Sequence, residues 1–262
     1  MKSTQEKLNE IKQNGYHLEF GDVFNNSLEI YKKVLWIIGL AFLILTIIMV
    51  VLSLGIMTVF IGANDFLSDL TQISMQATTP AYLGISLVFG VLLSIAIAPL
   101  YAGILQVCHN EQINKPYDFS TVFIHYKTSY LKDIAISAFL IAFTSGVIAD
   151  LVIFLGFQMI GTLITYFFQF ITLFTIPFII FGNLNAVDAI KASLLIVFKK
   201  FWIIFALLFV ALIMAFLGMI AICIGILFTL PIIYTTEYAI YRHAIGVDEH
   251  DELEEIGNYS EY

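Results

Sequence analysis

The stretch IAISAFLIAFTSGVIADLVIFLGFQMIGTLITYFFQFITLFTIPFIIFG, residues 134–182, decides the fold. Its 49 residues hold no Lys, Arg or Glu and one Asp, Asp150. About 20 apolar residues, at about 1.5 Å each, carry a helix across a hydrocarbon core of about 30 Å. Forty-nine is too long for one crossing and suits two joined by a tight turn. A helical hairpin is therefore expected, with arms at about 134–157 and 160–182.

Outward from this hairpin the pattern repeats. Residues 34–61 and 81–108 are apolar runs of 28 residues each, enough to span with tilt. Residues 201–236 form a 36-residue block, a second hairpin with shorter arms at about 201–218 and 221–240. The expected fold class is all-α, a polytopic membrane protein of six transmembrane helices. Composition agrees: 60% of the chain is hydrophobic and 12% charged, against about a quarter charged in soluble domains.

All twelve Lys and Arg residues lie outside the apolar runs and on alternate connections only. Lys2, Lys7, Lys12, Lys32 and Lys33 precede the first run; Lys115, Lys127 and Lys132 follow the second. Lys191, Lys199 and Lys200 follow the fourth, and Arg242 follows the sixth. Positive flanks stay cytoplasmic, so both termini are expected there. The polar first 33 residues do not read as a cleavable signal peptide, and the first span is expected to be an uncleaved anchor.

Three parts are expected: a cytoplasmic segment 1–20, one membrane domain 21–246, and an acidic cytoplasmic tail 247–262. The tail carries −7 of the net charge of −8. It reads either as a solvated segment or as a docking segment for a basic partner. With no basic stripe, a nucleic-acid partner is not expected. Cys108 and Cys223 are expected at opposite membrane faces, too far apart to bridge. Neither they nor the five scattered histidines show metal-ligand spacing, so no metal and no cofactor is expected.

The chain also repeats internally. DVFNNSLEI at 22–30 lies on DAIKASLLI at 188–196, and in that register Lys33 meets Lys199 and Trp36 meets Trp202. Trp and Lys at these points read as interfacial anchors. A looser copy starts at Phe119, with Phe123 and Lys132 matching Phe24 and Lys33. FTIP at 174–177 matches FTLP at 228–231, and Pro99 holds the corresponding place in the second span. The repeated unit is an amphipathic lead-in helix, an outgoing span and a returning span with a proline that bends it, used three times in parallel. The lead-in helices lie in the headgroup plane or extend their spans.

The Ser27-Leu28 and Ser193-Leu194 pairs, the Lys-then-Trp boundary and the proline-bearing even helices resemble a group of bacterial six-span membrane proteins without an assigned activity. That group is related to the membrane domain fused to some glycerophosphodiester phosphodiesterases. The resemblance covers residues 20–245. It implies six helices and a bacterial inner membrane, and it supplies no activity.

Small residues recur every fourth position, as Ser86, Gly90, Ser94, Ala98 and Ala102 in the second span and Ala138, Ala142 and Gly146 in the third. Such ladders let backbones approach, within the bundle or across a homo-oligomer seam. Polar groups at membrane depth are functional candidates. Gln169, 13 residues before Gly182, lies well inside, with Tyr166 on nearly the same face. Asp150 approaches the outer interface. Glu237, Gln106 and Asn183 follow the three prolines at similar spacing and could form a polar ring at the inner mouth. No catalytic motif is present. The expected role is non-enzymatic, in membrane or envelope physiology or as an accessory subunit of a transport system with a membrane-protein partner. A small-molecule or lipid transporter using Gln169, Tyr166 and Glu237 is the alternative, and an intramembrane enzyme the third.

Overall fold

A computed structural model describes residues 4–60, 79–221 and 225–246. The described residues are helical, and none forms a strand. The helices are α1 (Thr4–Asn14), α2 (Phe20–Phe60), α3 (Pro80–Gln112), a 3-10 helix (Phe119–Tyr126), α4 (Leu131–Phe154), α5 (Gln158–Ile171), α6 (Thr175–Ile180), α7 (Ala186–Lys199), α8 (Phe201–Ala221), α9 (Gly225–Thr229) and α10 (Pro231–Ile245). Among the described residues, five segments are long and apolar enough to cross a membrane: Phe20–Ile48, Pro80–Gln112, Leu131–Phe154, Gln158–Ile180 and Phe201–Gly218. The chain is thus a multi-pass helical membrane protein.

The 49-residue block folds as the expected hairpin. α4 runs out to Phe154 and α5 starts at Gln158, so the turn is only Leu155, Gly156 and Phe157. Gly156 sits at φ +91°, a conformation that costs a residue without Cβ nothing. Helix starts follow local chemistry. Thr79 caps α3, its hydroxyl accepting from the Tyr82 N–H, with Pro80 at the first position, where its missing N–H costs nothing. Asp118 and Thr121 cap the 3-10 helix reciprocally. Asn185 caps α7 by accepting from the Asp188 N–H at 3.0 Å.

The lead-in stretches differ in how they join their spans. α2 is one unbroken helix of 41 residues, about 60 Å by rise, so its first turns extend the span. α7 is a separate helix, ended at Lys200 before α8 begins.

The prolines differ from the expected bend in two of three cases. Pro99 lies inside the continuous α3. Pro177 stands in the first turn of α6, after the chain has already left α5 at Thr172, and Pro231 opens α10. Lacking an N–H and fixed near helical φ, proline starts a helix more cheaply than it continues one.

One core runs through the helices. It joins Val23, Ile30, Val34 and Ile38 of α2 to Ile104, Leu105 and Cys108 of α3, Phe174, Phe178 and Ile179 around α6, Ile196 of α7 and Tyr238 of α10. Ile11 and Leu18, in the segment before α2, belong to this same core. Tyr16 donates to the Ile196 carbonyl at 3.0 Å, Lys199 to the Lys12 carbonyl at 3.0 Å, and Lys7 to the Gly246 carbonyl at 3.3 Å. The first helix thereby ties α7 and the end of α10 together at one end of the bundle. The acidic tail and Cys223 lie outside the described residues.

A candidate cleft between α3, α4 and α5

α4 packs against both α3 and α5, and the two small-residue ladders meet along this packing. Their meeting does more than close a seam. Gly90, Ser94 and Ala98 of α3 and Ala138 and Ile141 of α4 line a cleft of about 530 Å³, completed by Gln169, Thr172, Thr175 and the rings of Tyr101 and Tyr234. A second hollow of about 330 Å³ continues it past Ser86, Ser145, Gly146 and Thr165 to Asp150. Gly90, Ser94, Ile141 and Gln169 line both. From Ser137 to Asp150 the cleft follows α4 for about 20 Å by helix rise, two thirds of a hydrocarbon core of about 30 Å.

The hydrogen bonds of the lining side chains have a common direction. The hydroxyls of Ser86, Ser137, Ser145, Thr165 and Thr172 each donate to a carbonyl of their own helix, at 2.7–3.4 Å. Tyr101 donates to the Glu237 carboxylate, which lies buried behind the cleft wall. Each proton is thus committed and each oxygen keeps acceptor capacity. The Thr175 hydroxyl is buried at 1% exposure with no hydrogen-bond partner. Asp150 and Gln169 make no hydrogen bond or ion pair to any described residue.

The positions singled out in the sequence are only partly brought together. Gln169 and Asp150 share the cleft. Tyr166 does not: it is 63% exposed and absent from the lining. Three residues advance a helix by about 300°, enough to turn Tyr166 off the Gln169 face. The ring of Glu237, Gln106 and Asn183 is not assembled by hydrogen bonds. Glu237 takes Tyr101; Gln106 takes Asn110 at 2.8 Å and His125 at 3.3 Å; Asn183 takes the Tyr130 hydroxyl. Asn183, at φ +52°, belongs to a turn and not to a helix face, which removes it from the register of the other two. His125 is buried between these groups, and that burial lowers its imidazole to a pKa of about 4.

Of the anchors, Trp36 and Trp202 are exposed, at 66% and 78%. Lys33 pairs with Glu111 at 2.6 Å, and the Tyr117 hydroxyl donates to the same carboxylate. Sequence reasoning missed Tyr101, Tyr234 and Thr175. A tyrosine that meets a glutamate 136 residues away in another helix, as Tyr101 meets Glu237, leaves no local pattern, although the FTIP sequence marks Thr175. Comparison with family models, curated proteins and solved structures finds no match for this chain.

Proposed function

We propose that this chain is a six-span protein of a bacterial inner membrane that binds a small amphiphile or lipid in the cleft between α3, α4 and α5 and moves or presents it. The observation that carries this reading is the cleft itself: an opening at membrane depth, lined by Gln169 and by Thr175, whose buried hydroxyl has no hydrogen-bond partner. Unsatisfied polar groups are costly in hydrocarbon and are kept there for a reason. The reading assigns no bond-making step.

Three further parts of the proposal have their own support. α9 and α10 together cover residues 225–245, about 30 Å by rise, which is enough for a sixth crossing back to the end where α1 lies. The threefold repeat is supported by the docking of the lead-in stretches. Ser27 hydrogen-bonds Thr235 and Thr236 of α10; Val122 lies over Gly103 of α3; Ser193 bonds Ile171 and Phe174 beside α6. Each lead-in stretch thus rests on the returning helix of a different unit. Cytoplasmic termini rest on the placement of the twelve basic residues, and the bacterial inner membrane on the resemblance to the six-span group.

The test is chemical access. Gln169→Cys should react with a small polar thiol reagent above the background of the native cysteines, and a pre-bound amphiphile should slow the reaction. An unreactive Cys at 169 in a folded protein would remove the basis of the proposal.

A further inference from the structure

The cleft carries a chemical signature that narrows its ligand, given that it is a binding site. Its lining holds no Lys, Arg or His, so an anionic group placed there would be stripped of water with nothing to neutralise it. Five of its hydroxyls have spent their protons on their own helices and offer only lone pairs. The Tyr101 oxygen is in the same position, with a carboxylate directly behind it. Asp150 adds a second carboxylate at the far end, unpaired among the described residues. Only Gln169, Ser94, Thr175 and Tyr234 retain protons to give.

We infer that the cleft binds a protonated aliphatic amine, an ammonium head on an apolar tail. An ammonium supplies three donors and a positive charge, complementing a surface of hydroxyl acceptors that ends at the Asp150 carboxyl. The apolar remainder lies along Ile97, Ile141, Leu173 and Ile176. The surface selects against anions, because the lining holds no cation to neutralise a sulfate or phosphate head and places the Asp150 carboxyl beside it.

The experiment uses the full chain in nanodiscs of zwitterionic lipid and a photoreactive alkylamine probe, with crosslinks mapped by mass spectrometry. Labelling of α3, α4 and α5 residues that line the cleft is expected. Excess alkylammonium of matched chain length should suppress it at least tenfold more effectively than alkyl sulfate or alkyl glucoside. Asp150→Asn should weaken the competition by the amine several-fold without changing that by the glucoside. Ala138→Phe, which fills the cleft, should abolish labelling; Ala138→Val controls for folding. Equal competition by the sulfate or the glucoside would overturn the amine assignment while leaving the cleft a binding site. Absence of cleft labelling by any probe, a neutral photoreactive alcohol included, would overturn the site itself.

Discussion

The hydroxyl of Ser193 accepts the N–H of Phe174 at 3.0 Å and, on its other side, donates to the carbonyl of Ile171 at 3.0 Å. One side chain therefore splices the gap between α5 and α6, taking up one donor and one acceptor that the interruption releases in a place without water. Ser193→Ala leaves both groups buried and unmatched. The expected loss is about 1–3 kcal/mol for each, read as a lower thermal midpoint in detergent. Ser27→Ala should cost less, because Thr235 and Thr236 already donate to the Ile232 carbonyl at 3.1 and 2.7 Å.

Tyr101 and Glu237 should behave as a unit. Tyr101→Phe removes the partner from a buried carboxyl group, at an expected cost of about 1–3 kcal/mol. Glu237→Gln should be milder, since a neutral amide is cheaper to bury. Unfolding of the two single variants and the double variant closes a double-mutant cycle; additive effects would contradict the coupling.

Glycines at two heights of α3 separate fold from cleft. A Cβ on Gly103 would come within 1.9 Å of the Val122 carbonyl oxygen, which is main chain and cannot swing away. Gly103→Ala should displace the 3-10 helix and cut the yield of folded protein severely. A Cβ on Gly90 meets nothing within 4 Å and points to an opening. Gly90→Ala should keep the wild-type midpoint within about 1 kcal/mol, and Gly90→Leu should fold yet block thiol access at position 169.

His125 sets an acid dependence of stability. Burial holds its folded pKa at about 4, below the ordinary 6.5, so between these values the unfolded chain binds more protons than the folded one. Stability should be full above pH 6.5 and fall as the pH drops toward 4. The hydroxyl of Ser120 and the amides of its capping turn hold the Asp118 carboxyl below 3.8, so its loss begins only under that window. Thermal midpoints from pH 7.5 to 4.5 should decline in the wild type and decline less in His125→Gln.

Spans were legible in the sequence because length and apolarity depend on composition alone. The 134–182 hairpin and its turn fall within a few residues of expectation. Ser27 and Ser193 stand out in the sequence as a pair, though nothing in the pattern says that a serine would mend a broken helix. Tyr166 failed for a plain geometric reason, since a three-residue step leaves a helix face by about 60°. Glu237, Gln106 and Asn183 failed because spacing after a proline fixes a register only where the helix continues, and at Asn183 it had ended. The cleft was hidden in plain view: ladders of Ser, Gly and Ala read as close packing, and whether two of them touch or leave a gap depends on the neighbouring bulk of Leu87, Leu93 and Ile97. Such bulk acts across helices.

The bonds from Ser27 to Thr235 and Thr236 join positions more than two hundred residues apart, and α10 also covers much of α2. A chain inserted from its N-terminus therefore leaves the side of α2 that α10 covers open until α10 is made. Until residue 236 emerges, Ser27 lacks its lasting partners. Completion is a closure between α2 and α10, and contacts of such high order form late and slowly. A nascent chain stalled before Pro231 would present that face to whatever membrane chaperone or quality-control protease meets it first.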